Sequence, residues 1–316
     1  MRVFEGSGSL DGSARGCVLT VGNFDGLHLG HRALLDAVLA RAAELGRDSA
    51  LYTFDPHPRR LLFPEQAQPS LMTRGQLRSE LESIGIDVLV REAFDHAFAA
   101  LSPEEFLRDV IVARVGPAEI FVGRDFHFGK GRAGSGDWLR DSAAEHGIRV
   151  EIIGQVRVGD DDVSSTRVRR CLLRGDVEEA SRCLDREYTI WGRVVQGDRR
   201  GRTLGFPTAN LAPENELLPA NGVYATRVAF LEGDRPGSVA HPAVTNIGTR
   251  PTFEPGRVLV ETHLLDYAGD LYERRIAVAF ARRIRAERRF SGPEELARQI
   301  ALDAAEARRL LAASPS

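Results

Sequence analysis

The sequence predicts two domains, an α/β domain with a doubly wound parallel sheet followed by a domain built mainly from antiparallel strands. Residues 17 to about 153 alternate short apolar strands with helical patterns, which is typical of a parallel sheet covered by helices. After about residue 185, strand-like segments follow one another between Gly, Pro and Asn turns, which favours a barrel or a sandwich. We therefore expect the domains to span 1–185 and 186–316.

Strands and helices can be placed along the first domain from hydrophobic periodicity and capping patterns. Five strands are predicted, over 17–21, 51–54, 86–90, 119–122 and 150–153. The helix after the first strand places four apolar side chains on one face, Leu34, Leu35, Val38 and Leu45. Capping boxes at Thr73 with Gln76 and at Ser102 with Glu105 begin two further helices. Ligands of such sheets bind beyond the carboxyl ends of the strands, so we expect the chemistry in loops 22–31, 55–60, 123–135 and 159–167.

The second half of the chain has a different pattern, with two helices followed by a series of strands. Helices are expected at about 165–174 and 176–184, and a β-rich half begins at Tyr188. Its strand-like segments are 194–195, 223–230, 244–247, 258–265 and 276–280. A last helix begins after Ser291-Gly-Pro-Glu294, a capping-box pattern, and is expected to turn Leu296, Ile300 and Ala304 inward.

Composition and charge exclude several classes of function. The chain has 316 residues, of which 43% are apolar and 28% charged, as in ordinary soluble proteins. A net charge of −3 gives no general attraction to nucleic acid or to anionic membranes. No apolar run approaches membrane-spanning length, and Met1–Gly16 lacks the apolar core of a signal peptide. The three cysteines form neither a CxxC motif nor a metal-ligand spacing, so we expect reduced thiols and a cytoplasmic protein.

Two histidines mark the start of the first predicted helix. His28 and His31 stand three residues apart, just after a glycine-containing loop that follows a strand. The unpaired N–H groups and the positive dipole end of a helix start suit polyphosphate, and histidines can donate hydrogen bonds to phosphate oxygens. The alternative is an incidental pair that fills a gap in the core. We interpret the segment as a nucleotide site.

Two further loops at strand ends carry candidate ligand-binding side chains. His57 lies between two prolines that fix the backbone and direct the imidazole to the crevice; a surface turn is the alternative. Asp125 could orient a flat ring or approach magnesium. Phe126 and Phe128 could cover a flat aromatic ring, or they could equally anchor the loop in the core.

Hydroxyl side chains and arginines meet at the start of a later helix. Ser164, Ser165 and Thr166 can cap exposed N–H groups, and Arg167 or Arg169 can clamp a phosphate beside them. A well-capped helix without a ligand is the alternative. From these residues alone, both possibilities stay open.

The second domain contains a candidate site for a metal and a nucleotide. A glycine-containing loop over 197–204 leads into Gly205-Phe-Pro207-Thr208-Ala-Asn210. The Thr hydroxyl and the Asn amide are hard oxygen ligands that suit Mg²⁺ bridging nucleotide phosphates. A proline-anchored turn with an Asn cap is the alternative.

A carboxylate on a predicted strand of the second domain is the candidate general base. Glu261 is expected to share a face with Leu259 and Leu265. A carboxylate on a largely apolar face can accept a proton from a substrate hydroxyl, whereas a solvated strand glutamate is the ordinary alternative.

Taken together, these motifs resemble those of the bacterial bifunctional flavin enzymes that join riboflavin kinase to FMN adenylyltransferase, or FAD synthetase. The HxGH core at 28–31 belongs to the wider nucleotidyltransferase superfamily, and the preceding Gly-Asn-Phe-Asp-Gly narrows the resemblance to the flavin branch. Gly-Phe-Pro-Thr-Ala-Asn at 205–210 is similar to the riboflavin kinase signature. Matching segments at 221–225, 246–253 and 260–266 follow, and the resemblance covers about 17–304.

The resemblance implies a Rossmann-like nucleotidyltransferase domain, then a six-stranded antiparallel riboflavin kinase barrel with a C-terminal helix. The kinase would phosphorylate riboflavin to FMN, with Glu261 as the base and with Thr208 and Asn210 positioning Mg²⁺ and ATP. The other domain would adenylylate FMN to FAD and release pyrophosphate, with His28 and His31 stabilising charge on the phosphates. Its small-molecule partners would be riboflavin, FMN and ATP, without nucleic acid or membrane.

The resemblance also assigns the remaining site residues. The adenylyltransferase ATP site would comprise Gly22, Asn23, Phe24, His28, His31, Ser164, Ser165, Thr166 and Arg167. The flavin site beside it would comprise His57, Asp125, Phe126 and Phe128. The kinase site for Mg²⁺ and ATP would comprise Gly205, Pro207, Thr208 and Asn210. Asp137 lies later than the acidic residue of the common pattern, so it receives no role.

Two rival readings remain open at this point. In one, a single domain is active; in the other, the chain is a flavin- or nucleotide-binding regulatory protein with a retained fold. Glu261, His28 and His31 argue against the second, because a binding protein needs neither a base nor a group that stabilises a leaving group.

Overall fold

The structure is a computed structural model that describes residues 1–196, 205–249 and 258–313. It divides into two compact units, Met1–Pro69 with Leu77–Val163 and Ser70–Gln76 with Ser164–Ser316. Helices that we expected at about 165–174 and 176–184 belong to the second unit by packing. The domain boundary near residue 185, placed where the helical pattern gives way to strands, stays a prediction.

The first unit is built on a parallel sheet, as the sequence predicts. Its strands are β1 (Arg2–Glu5), β2 (Val18–Val21), β3 (Ser49–Asp55), β4 (Val88–Ala93), β5 (Glu119–Gly123), β6 (His127–Phe128), β7 (Gly134–Ser135), β8 (Arg149–Ile153), β9 (Arg157–Val158) and β10 (Asp161–Asp162). Six of them form the parallel sheet in the order β1-β4-β3-β2-β5-β8, whereas β6 pairs with β7 and β9 with β10. The strand β1 was not predicted, because two half-buried residues between two exposed charged ones carry no distinct pattern.

The strand order shows where this sheet can bind a ligand. The chain runs from β2 through β3 to β4 on one side and then returns to place β5 on the other side of β2. The sheet therefore has its topological switch point between β2 and β5. Crevices at such points, beyond the carboxyl ends of the strands, are the usual ligand sites of doubly wound sheets. The loops that follow β2 and β5 contain the predicted histidine and phenylalanine motifs.

Helices cover this sheet and confirm two of the predicted capping boxes. They are α1 (Leu29–Leu45), α2 (Pro58–Leu62), α3 (Arg74–Ile84), α4 (His96–Ala99), α5 (Pro103–Glu105), a π-helical stretch over Phe106–Val115, and α6 (Gly136–Ala144). Thr73 and Gln76 exchange hydrogen bonds at the start of α3, and Ser102 and Glu105 do so at α5. Of the four side chains predicted on one face of α1, Leu34, Leu35 and Val38 are buried, whereas Leu45 is the last residue of the helix and is exposed; Ala42 completes the buried stripe.

The second unit contains a closed antiparallel barrel, which decides between the two architectures left open. The barrel strands are β11 (Tyr188–Val195), β12 (Ala209–Pro213), β13 (Gly222–Glu232), β14 (Arg235–Thr249), β15 (Val258–Leu264) and β16 (Arg275–Arg285). Among the described residues they close in the order β11-β12-β15-β14-β13-β16. The helices of this unit are α7 (Ser165–Arg174), α8 (Val177–Leu184) and α9 (Pro293–Ala312).

The terminal helix α9 packs on the outside of the barrel. Its buried residues Ala304, Ala307 and Leu311 form one apolar cluster with Val223 and Val244 of the barrel wall. The predicted capping box of Ser291 and Glu294 is wrong, because the N-cap of α9 is Gly292, which makes no side-chain cap hydrogen bond; Ser291 lies one residue earlier and donates from its N–H and its hydroxyl to Glu295. Within the described ranges, none of the helices combines the length and the apolar character needed to cross a lipid bilayer.

Candidate active sites

The two predicted histidines lie together at the start of α1. His28 is the N-cap residue, and its Nδ1 accepts a hydrogen bond from the backbone N–H of His31 at 3.3 Å. The two rings stack with centroids 3.7 Å apart and planes 16° from parallel, and the Phe24 ring lies 5.0 Å from that of His31. Since Nδ1 of His28 accepts, the neutral ring carries its proton on Nε2 and can donate it.

Glycines leave the space that the His28 and Phe24 rings occupy, and they allow the loop before α1 to turn. A Cβ atom at Gly30 would lie 3.2 Å from both Cε1 and Nδ1 of His28, so the ring occupies the space of the missing side chain. A Cβ atom at Gly22 would lie 3.4 Å from the Phe24 ring. Gly26 has φ +88°, and Leu27 has φ 43°, so the loop turns sharply before the helix. Asn23 is exposed on this loop.

The loop after β3 holds His57 in a similar way. His57 is the N-cap of α2, and its Nδ1 accepts from the backbone N–H of Arg59 at 3.1 Å. Pro58 occupies the first helical position, where its missing N–H costs no hydrogen bond. The imidazole is half-buried, and the argument used for His28 leaves its proton on Nε2.

The loop after β5 gives its two phenylalanines different environments. Phe128 is buried in the core, with ring centroids 5.3 Å from Phe106 and 5.7 Å from Trp138. Phe126 is half-buried and stacks on Phe128 at 5.3 Å. Phe128 is thus a core anchor, while Phe126 has the outer position of the stack. A Cβ atom at Gly134 would lie 2.7 Å from the Phe128 ring, so this glycine is required.

Acidic side chains of the same loop and of the helix after it are exposed and paired. Asp125 accepts a hydrogen bond from Nε2 of Gln155 at 2.6 Å. Asp137 lies in the first turn of α6 and forms an ion pair with Arg140 at 2.8 Å. Because a carboxylate in the first turn of a helix interacts favourably with the helix dipole, Asp137 can be explained as a residue that stabilises α6.

The predicted hydroxyl and arginine segment starts α7 in the second unit. Ser164 is the N-cap, and its Oγ accepts from the backbone N–H of Arg167 at 3.2 Å, with Ser165 and Thr166 between them in the first turn. Arg167 and Arg169 are both buried. The guanidinium of Arg167 pairs with Glu179 of α8, so part of its charge is already compensated.

The candidate base lies on the outer face of the barrel. The hydroxyl groups of Thr226, Thr245 and Thr262 form a buried chain inside it, with oxygen separations of 2.8 and 3.0 Å. Because side chains alternate along a strand, Glu261 points to the opposite face from Thr262. It is half-buried there.

The neighbours of Glu261 differ from those that the sequence predicts. Leu265 lies one residue beyond the end of β15 and packs in the apolar cluster with Val223 and Val244, and His263 lies between Leu265 and Glu261 in the strand alternation. Across the ladder, Glu261 is the register partner of Asn210 on β12 and of Asn246 on β14. The carboxylate therefore stands in a row with two amide side chains rather than on a largely apolar face.

The predicted metal-binding motif ends at Asn210, which belongs to this same row of side chains. Gly205 and Thr208 are exposed, and Asn210 belongs to β12. The Nδ1 atom of His263 lies 2.8 Å from the carbonyl oxygen of Pro207. The loop 197–204 before this motif and the segment 250–253 of the predicted Asn-Ile-Gly-Thr-Arg-Pro-Thr-Phe match lie outside the described residues.

Sequence reasoning assigned no role to Asn246 or His263, although both stand in segments that match the family. The signal that finds them is strand register, which brings Asn246 opposite Glu261 and puts His263 two positions along the same face. Among the described residues, no group of three or more His, Cys, Asp or Glu side chains is placed to hold a metal ion.

Comparison with known proteins agrees with both halves of the chain. Residues 11–167 match the family model for FAD synthetase, and residues 184–311 match the one for riboflavin kinase. The bifunctional riboflavin kinase/FMN adenylyltransferase of Pseudomonas fluorescens is 40% identical over 315 residues, 99% of each chain. The protein of the same name from Bacillus subtilis is 35% identical over 297 residues, 92% of each chain.

A solved structure extends the likeness to three dimensions. A crystal structure described as a macrolide-efflux protein from Streptococcus pneumoniae matches with a TM-score of 0.87 and 27% identity, over 97% of this chain and 98% of that one. The efflux in that description concerns that protein alone. The family matches and the identities over nearly the full length confirm the resemblance seen in the motifs: this chain belongs to the family of bifunctional riboflavin kinases/FMN adenylyltransferases.

Proposed function

We propose that this chain makes FAD from riboflavin in two steps that each consume ATP. The second unit phosphorylates riboflavin to FMN, and the first unit contributes the histidine site that adenylylates FMN to FAD. The observation that carries the proposal is the presence of two separate candidate sites in one chain, stacked histidines at a helix start and a carboxylate between two amides. Each belongs to its own family match.

In the kinase step, Glu261 is the general base. Its carboxylate accepts the proton of the ribityl 5′-hydroxyl while that oxygen attacks the γ-phosphorus of ATP, and ADP leaves. The amides of Asn210 and Asn246, opposite Glu261 in the ladder, support the proposal because they offer hydrogen-bonding groups to hydroxyl or phosphate oxygens beside the base.

Two side chains fit Mg²⁺ in its complex with ATP. The hydroxyl of Thr208 is exposed, and Asn210 carries an amide oxygen two residues further, so both are hard oxygen donors of the kind that Mg²⁺ prefers. When bound with ATP, Mg²⁺ neutralises charge on the phosphates. Thr208 and Asn210 would hold it, and Gly205 and Pro207 shape the backbone around the phosphates.

In the adenylylation step, the phosphate of FMN is itself the nucleophile. One of its oxygens attacks the α-phosphorus of a second ATP, and pyrophosphate leaves. His28 donates from Nε2, and His31 and the N–H groups at the start of α1 add further donors for the phosphates, with Asn23 and Phe24 on the adjoining loop. No protein nucleophile is required.

Further residues are assigned to ligands as part of the same proposal. His57, Asp125 and Phe126 line the flavin, with Phe128 supporting Phe126 from the core. Ser165, Thr166 and Arg167 at the start of α7 are assigned to ATP phosphates through their match to the family motif, and Arg167 shares its charge with Glu179. The buried Arg169 is a second cationic candidate.

The cysteines support a cytoplasmic location. Cys17, Cys171 and Cys183 are free and buried, and burial raises the pKa of the Cys17 thiol to about 12. Such thiols are unreactive core residues that suit a reducing compartment.

A pair of variants tests the assignment of the two steps. Glu261→Gln should lower FMN formation from riboflavin by about 10²- to 10⁴-fold and leave the conversion of FMN to FAD unchanged. His31→Ala should do the reverse, lowering FAD formation by about 10²- to 10³-fold. Unaffected phosphorylation in Glu261→Gln would remove Glu261 as the base. Normal FAD output from His31→Ala would remove the histidine site.

A further inference from the structure

An imidazole next to the proposed base contacts the backbone of the nucleotide-binding motif. Nδ1 of His263 lies 2.8 Å from the carbonyl oxygen of Pro207. A carbonyl oxygen can only accept, so Nδ1 carries the proton. The same ring meets Phe206 edge to face, with centroids 5.7 Å apart and planes at 85°. One side chain of β15 therefore contacts two consecutive residues of the Gly-Phe-Pro-Thr-Ala-Asn motif.

The hydrogen bond between His263 and Pro207 lies just beyond the end of the ladder between β12 and β15. The ladder between β12 and β15 ends at the pair Ala209 and Thr262. The next pair in antiparallel register would join Thr208 to His263, but Thr208 lies before the first residue of β12. Hydrogen bonds of the ladder thus stop one residue short of the proposed Mg²⁺ ligand. The imidazole of His263 supplies a hydrogen bond from the same strand to the residue just beyond it.

We infer that His263 is a positioning residue of the kinase site, which holds the Pro207–Thr208 backbone in the geometry that binds Mg²⁺ and ATP. The inference rests on the proposed role of Thr208 and Asn210. Asn210 is fixed by the ladder opposite Glu261, so the base and one oxygen donor share a rigid pair of strands. His263 extends that rigidity to the Thr208 hydroxyl. His263 acts through the peptide that it binds.

The experiment compares two substitutions that differ in one hydrogen-bond donor. In His263→Asn, Nδ2 of the amide stands where Nδ1 of the imidazole stood, so the bond to Pro207 is kept. In His263→Leu the apolar bulk against Phe206 is kept and the donor is lost. Initial rates of FMN formation are measured against MgATP concentration at saturating riboflavin and excess Mg²⁺, with thermal unfolding as the folding control.

We expect His263→Leu to raise KM for MgATP about five-fold, within the roughly 2- to 13-fold range of one net hydrogen bond, with kcat changed less than KM. His263→Asn should stay within about two-fold of the wild type. If His263→Leu does not fold, His263→Gln replaces it. The side chain of Gln is one bond longer than that of Asn, so its amide nitrogen does not take the position of Nδ1, and we expect the same rise in KM for MgATP.

Two results would overturn the inference. One is an unchanged KM for MgATP in the variant without the donor. The other is an equal rise in His263→Leu and His263→Asn, which would assign the effect to packing of the ring on Phe206. Failure of the proposed function looks different, because the wild-type chain would then form no FMN from riboflavin.

Discussion

A single methyl group at Gly30 should separate the two activities of this chain. Gly30 is the second residue of α1, where alanine is ordinarily better than glycine by about 1 kcal/mol. The added Cβ would lie 3.2 Å from Cε1 and Nδ1 of His28, closer than the 3.4–4 Å of ordinary van der Waals contact. The His28 ring must therefore shift by a few tenths of an ångström.

The shift acts on a ring that has little room to move. The His28 ring stacks on His31 at 3.7 Å, and its Nδ1 holds the backbone N–H of His31 at 3.3 Å. A displacement of about 1 Å can cost 10²-fold in rate, so about 0.3 Å should cost about four-fold. We expect Gly30→Ala to lower kcat/KM for FMN adenylylation about four-fold, while the gain in helix propensity offsets the strain and leaves the unfolding temperature within about 4 °C.

The assay measures FAD formation from FMN and FMN formation from riboflavin in the same preparation. Gly154→Ala is the matched control, because a Cβ atom there would meet no heavy atom of the described residues within 4 Å. It should leave both rates unchanged. Full adenylylation activity in Gly30→Ala would refute the reasoning that the placement of His28 limits the reaction.

The remaining predictions concern the flavin loop and the acid stability of the first unit. Phe128→Ala should lower the free energy of unfolding by about 3–5 kcal/mol. Phe126→Ala should lower the free energy of unfolding by less and should instead raise KM for FMN. Equal destabilisation by both variants, without a change in KM, would make both residues core anchors. Arg41 donates two hydrogen bonds to Glu119 and holds the pKa of that carboxyl below its usual range, so the stabilisation is present above about pH 5 and is lost as the pH falls through the lowered pKa. Glu119→Gln should therefore cost about 2 kcal/mol of unfolding free energy at pH 7 and progressively less towards pH 3, as chemical denaturation at each pH would measure; a difference that does not vary with pH would contradict this.

Local sequence patterns predicted the elements of the fold well. Five strands of the parallel sheet lie within two or three residues of the predicted ones, and the helices at 165–174 and 177–184 begin and end almost where expected. In the barrel, β11, β14 and β16 extend at least five residues beyond the predicted segments, and β12 was not predicted. Capping boxes at Thr73 and Ser102 were readable because their two partners are three residues apart in the sequence. The strand β1 was missed because its place in the sheet depends on β4, which is distant in the chain.

In the candidate sites, too, local features were predictable from the sequence and long-range contacts were not. The stacking of His28 on His31 follows from local helix geometry, so the sequence was informative there. The surroundings of Glu261 depend on the register of three strands, which no local pattern specifies. For that reason the predicted apolar face was wrong, and Asn246 and His263 received no role from the sequence. Pairing of Arg167 with Glu179 likewise depends on how two helices pack.

The most direct test of the account is chromatographic separation of flavins after the purified protein is incubated with riboflavin, ATP and Mg²⁺. The account predicts that FMN appears first and FAD follows from it in the same reaction. FMN without FAD would confine the activity to the barrel and contradict the role of the stacked histidines. Riboflavin that stays unchanged, with flavin bound but not converted, would contradict the kinase assignment and favour a binding protein.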